Sequence, residues 1–234
     1  MPDPIGSLSL RRSLKRGVAR QALHSARQKE APADKIFAAL REMKPNRLAM
    51  ERLVQRLRRV PGVVRAGIGA EGRGVVVVLR NFRDTVTRTD ATDLFSEYVL
   101  MFTRVWAIPV RGLVQMHINR MTFCLHALER FFERSPSRLD PQFLALADAE
   151  AVTLLRAGAV GTRIEHDGDL YLRAVACGVW AGSQDATPPE PEWGTLAISS
   201  AGVPTFSART FLSPDEMKPE VWLRWQSDPR LSAS

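Results

Sequence analysis

The dipeptide Pro61-Gly62 divides this chain into two parts with different hydrophobic periods, and that change restricts the fold more than any other feature. Before it, apolar residues recur at three- and four-residue spacing. Ile36, Phe37, Leu40 and Met43 make one amphipathic stretch, and Leu48, Leu53, Val54 and Leu57 make another over residues 47–59. Pro45 separates them, because proline disfavours helical backbone at the residue before it. Residues 11–29 have helical composition but only a thin stripe of Leu14, Val18 and Leu23. Such a helix is marginal alone and orders on a partner or on the rest of the molecule. After the divide, β-branched runs at 63–68 and 74–79 flank a glycine-rich turn and read as a hairpin.

Further along, residues 91–98 are expected to form a short helix, 99–108 a buried strand and 112–118 another extended segment. Residues 119–134 and 140–157 read as helices, the second with Pro141 in its first turn and Gly158 at its stop. A strand over 170–179 follows a turn at Asp167-Gly168. Residues 183–193, with three prolines, read as a loop. A second hairpin is expected from 194–199 and 205–212, then a terminal helix or coil over 214–225 that docks Trp222 and Trp225. The expected class is α+β: a helical basic N-terminal segment, then an antiparallel sheet with helices packed on one face. The expected division is a basic helical arm or subdomain over 1–59 and an α+β domain over 60–234.

Charge follows the same divide. The chain carries a formal +8, and residues 1–60 hold 15 lysines and arginines against 5 acids, or +10; the remainder is −2. A concentrated basic segment attracts polyanions through counterion release. Within it, Arg52, Arg56 and Arg59 share one face of the third helical stretch and are the candidate nucleic-acid contacts. No aromatic residues are interleaved with them, so base stacking is not indicated. The expected partner is nucleic acid, RNA or DNA, or an acidic protein. No run reaches the roughly 18 apolar residues that span a bilayer, and Met1–Arg20 has no apolar signal core. With two cysteines, Cys124 and Cys177, each in an apolar run, the expectation is a soluble cytoplasmic protein with reduced thiols.

Few motifs carry chemistry. The glycines of GIGAEGRG lack the Lys-Ser/Thr and the following helix of a phosphate loop. The turn Glu165-His166-Asp167-Gly168-Asp169 lacks calcium-loop spacing, and His117 stands apart near Asn119 and Arg120. Neither a metal nor a cofactor is expected. The informative stretch is 125–151. On a helix, His126, Arg130 and Arg134 fall along one stripe at i, i+4 and i+8, with Glu129 and Glu133 beside them. An imidazole among guanidiniums and carboxylates can exchange protons near neutrality, and arginine forks can hold phosphate. These are parts of a metal-free phosphodiester-cleaving site, and equally of a solvated helix face with i,i+4 ion pairs.

The run HALERFFERS resembles the His-Ala-x-x-Arg-x-x-x-Arg helix of small toxin-type proteins of the broad barnase/RelE-like ribonuclease fold. SARTFLSPDEM is similar to a late strand of such nucleases. The resemblance covers roughly residues 117–217. It implies that His126 transfers protons, that Arg130 and Arg134 contact phosphate, and that Thr210 and Arg209 line the cleft. The long N-terminal half and the proline-rich loop depart from the compact toxin pattern, which leaves a binding-only version open. The expected function is therefore a nucleic-acid-acting protein, either a toxin-type endoribonuclease or a non-enzymatic DNA- or RNA-binding accessory protein. A protein-interaction module with basic helices is the third possibility.

Overall fold

The computed structural model describes residues 4–88, 94–134, 143–157, 163–175, 177–193 and 202–227. Three helices come first: α1 (Pro4–Gln28), α2 (Ala33–Arg41) and α3 (Arg47–Leu57). Helix α3 starts where Asn46 Oδ1 accepts the N–H groups of Leu48 and Ala49, at 2.9 and 3.4 Å, which satisfies two of the amides that a helix start leaves open. Its buried face is Met50, Leu53, Val54 and Leu57, an i, i+3, i+4, i+7 set. Leu48 falls outside that set and is exposed, contrary to the face drawn from sequence.

Eight strands follow in one sheet: β1 (Val63–Ile68), β2 (Val75–Arg88), β3 (Leu94–Val110), β4 (Leu113–Cys124), β5 (Arg163–His166), β6 (Asp169–Arg173), β7 (Val179–Thr187) and β8 (Val203–Leu212). Helices α4 (Leu125–Arg134) and α5 (Phe143–Ala157) separate β4 from β5, and α6 (Pro219–Gln226) follows β8. The spatial order is β1-β2-β3-β4-β8-β7-β6-β5. Every neighbouring pair is antiparallel except β4 and β8, which run parallel through Arg120↔Thr205 to Phe123↔Ala208. A parallel pair requires a long return path, here supplied by α4, α5 and the strands β5–β7.

Several expected elements shift. The helix expected over 119–134 begins only at Leu125, because residues 119–124 continue β4. In that segment Met121 and Phe123 point to one sheet face and Arg120, Thr122 and Cys124 to the other, and the strand is held between β3 and β8. The short helix expected over 91–98 is instead the start of β3 from Leu94, paired with β2. The strand expected over 170–179 is split, because Ala174 N–H donates to Gly178 O at 3.1 Å and closes a turn between β6 and β7. The loop expected from 183 begins only after Thr187, since β7 extends along β8. The strand expected over 194–199 lies outside the described residues.

Layers cover both faces of the sheet. On one face α1, α4 and α5 enclose an aromatic core of Phe102, Phe123, Phe131, Phe132, Phe143, Trp180 and Phe211. Phe123 and Trp180 sit 4.4 Å apart by ring centroids, as do Phe132 and Phe143. Helix α1 reaches this core through Ala19, Leu23 and Ala26, and small side chains let it lie close. On the opposite face α2 and α3 cover Val75, Val77, Leu79, Val105 and Ala107. At the far end α6 covers Tyr171, Val179 and Ala181 with Met217 and Val221. The first three helices thus belong to the two cores of the sheet. The Arg58 Nε–H donates to Ala66 O at 3.0 Å and blocks part of the β1 edge. No described helix is long and apolar enough to cross a membrane.

Candidate functional site

Between the α2/α3 cover and the α6 cover, the described residues leave the sheet face over β3, β4 and β8 open. It forms a cleft of about 690 Å³. The two-residue period of β4 sends Arg120, Thr122 and Cys124 into this cleft, and His126 follows in the first turn of α4. Strand β3 adds Glu97, Val99 and Met101. Strand β8 adds Thr205, Ser207 and Arg209.

Arg209 follows Thr205 and Ser207 into the cleft at the two-residue period of β8, and a bulge is centred on it. Ala181 pairs with Thr210 and Gly182 with Ala208, so Arg209 is an extra residue with no partner on β7. The extra residue shifts the alternation by one, so that Phe211 rather than Thr210 turns into the aromatic core. Gly182 permits the close pairing, since a Cβ there would lie 2.0 Å from Ser207 O.

Arg120 anchors the inner end. It is 5% exposed, and its guanidinium lies 4.9 Å from the Trp193 ring, which stacks on Phe37. Its Nη1 donates to Thr187 Oγ1 at 2.9 Å, and its Nη2 meets Glu190 at 3.3 Å. Arg83 approaches the same Glu190 at 3.7 Å and Glu30 at 3.6 Å. Burial lowers the proton affinity of Arg120; Glu190 opposes that and Arg83 adds to it. Thr187 and Thr205 share a hydroxyl contact of 2.6 Å beside it. At the outer end, Arg209 donates to Ser183 Oγ at 3.2 Å, and Cys124 Sγ donates to Arg209 O at 3.5 Å. Burial, against the Ala127 N–H and with help from Glu97, pushes the Cys124 thiol up to about 11. It is protonated at neutral pH and is no nucleophile.

The residues expected to act together are parted. His126 is exposed at the cleft, which Arg209 also lines. Arg130 pairs with Glu133 at 3.2 Å. Arg134 donates to Phe211 O and pairs with Glu216 at 2.6 Å, and burial lowers its proton affinity with Glu216 opposing. Thr210 is half-buried on β8 and does not line the cleft. The acids beside the stripe are also committed: Glu129 pairs with Arg20 at 3.0 Å and Glu133 with Arg16 at 3.3 Å, both from α1. In contrast, Arg52 and Arg56 on α3 and Arg59 in the turn after it are exposed, and their side chains make no hydrogen bond or ion pair among the described residues.

Sequence reasoning missed Arg120, Arg83, Glu190, Thr205 and Ser207. The available signal was the alternation Arg120-Met121-Thr122-Phe123-Cys124, a polar-apolar strand pattern masked by reading the segment as helix. Comparison of the chain with protein-family models, curated proteins and solved structures returns no match.

Proposed function

We propose that the protein is a non-enzymatic nucleic-acid-binding protein that contacts phosphates through the outer face of α3. The observation that carries this reading is the contrast among its arginines. Arg16 and Arg20 of α1 and Arg130 and Arg134 of α4 are spent on internal pairs with Glu129, Glu133 and Glu216, whereas Arg52, Arg56 and Arg59 are exposed and have no acidic partner among the described residues. Repeated guanidiniums at helical spacing give contacts to a polyphosphate backbone that hold register without reading bases. The test is binding to duplex DNA and to RNA across a salt series. Each phosphate contact on duplex DNA adds about 0.9 to the steepness of log K against log salt, so replacing all three arginines by glutamine flattens the slope by up to about 2.7. A triple variant with wild-type affinity and slope refutes the reading.

A second reading, metal-free ribonuclease activity, has one observation in its favour: His126 and Arg209 line the same cleft. It predicts RNA cleavage that is lost in His126→Ala between about pH 5 and 9. RNA left intact by wild-type protein across that range excludes it.

A further inference from the structure

The inner end of the cleft holds a buried guanidinium whose bonding is incomplete. Arg120 Nε and Nη2 are buried without a hydrogen-bond acceptor, and the 3.3 Å approach of Glu190 to Nη2 is an ion pair without hydrogen-bond alignment. Buried donors in native proteins are nearly always satisfied, so an arginine left this way marks a place where another acceptor fits. Glu190 pairs with both Arg120 and Arg83, and Arg83 also meets Glu30. It stands in the connection after β7, three residues beyond Thr187, so it can move without breaking the sheet ladder.

The rest of the cleft mixes hydroxyls with the apolar side chains of Val99, Met101 and Ala208. The β4–β8 register sets Thr205 beside Arg120 and Ser207 beside Thr122, which makes a hydroxyl floor. No phenylalanine, tyrosine or tryptophan among the described residues lines it. Four residues further along β4, roughly 13 Å at a strand's rise, the outer end carries Arg209, His126 and Glu97.

We propose that this cleft binds an elongated polar molecule bearing a carboxylate or phosphate, whose oxyanion exchanges with the Glu190 carboxylate on Arg120 and Arg83. The planar guanidinium fork matches either oxyanion. The hydroxyl floor takes the middle of the molecule, and Arg209 with His126 meets its far end. The site is separate from the α3 face and stands or falls independently of nucleic-acid binding.

Titration calorimetry of the full chain with inorganic phosphate and with glutarate tests this. Saturable binding of at least one probe is expected. Glu190→Gln removes the competing carboxylate and keeps its shape, so it binds that probe about tenfold more tightly, and Arg120→Lys binds it about tenfold more weakly. Binding of phosphate alone assigns a phosphate ester as ligand, and binding of glutarate alone assigns a carboxylic acid. Should Arg120→Lys lose its fold by circular dichroism, Glu190→Gln decides. Absence of saturable binding by both wild type and Glu190→Gln overturns the proposal, as does an affinity in Glu190→Gln equal to or below that of wild type.

Discussion

Replacing Arg134 by alanine separates a scaffold role for the α4 arginines from a phosphate-binding one. Arg134 fastens the end of α4 to the end of β8 and to the turn after it, through Phe211 O and Glu216. Loss of a charged hydrogen bond to a carbonyl costs about 1.5–3 kcal/mol. Loss of the partly exposed ion pair adds about 0.2–1 kcal/mol. The expected destabilisation is thus roughly 2–4 kcal/mol, read as a lower urea midpoint at an unchanged slope. His126→Ala serves as the contrast, because an exposed side chain with no structural partner costs within about 0.5 kcal/mol. Nucleic-acid affinity of folded Arg134→Ala stays at the wild-type value. A variant that keeps its stability within about 0.5 kcal/mol while losing nucleic-acid binding as steeply as the α3 triple variant refutes the scaffold assignment.

Three further outcomes follow from the geometry. At neutral pH a thiol reagent modifies exposed Cys177 at once and half-buried Cys124 much more slowly, because its thiol holds its proton; labelling of Cys124 as fast as that of Cys177 contradicts this. Because the folded thiol holds its proton up to about 11, against 9.0 for an ordinary thiol, the stability it contributes is present below pH 9 and lost as pH rises toward 11; Cys124→Ala lowers that alkaline loss in denaturation curves taken across the window. Gly74→Ala destabilises by more than about 1 kcal/mol, since Gly74 has φ +72° and an added Cβ would lie 2.1 Å from Ala107 O; a melting curve unchanged from wild type would show that the β2–β3 pairing can relax there.

Residue types and spacing carried much of the architecture. The Pro61-Gly62 break, the apolar faces of α2 and α3, and the β-branched runs of β1 and β2 are local patterns, readable within a window of a dozen residues. The α3 arginines were readable for the same reason, since a helix face depends only on spacing and nothing packs over it. The cleft was not readable in this way. Its residues come from Arg83, Glu97, Arg120, Glu190 and Ser207, far apart in the chain, and they meet only because β4 pairs with β8.

By itself, then, the sequence determined the change from helix to strand at Pro61-Gly62, the α+β class and the placement of positive charge, because hydrophobic period and chain breakers act between near neighbours. Only the tertiary structure decided that residues 119–124 are strand, that β4 and β8 lie parallel, that a bulge on β8 turns Phe211 into the core, and that Arg130 and Arg134 serve internal pairs. Each of those depends on which distant strand or helix occupies the adjoining space. Burial and strand pairing between remote segments outweigh the local preference of any one of them.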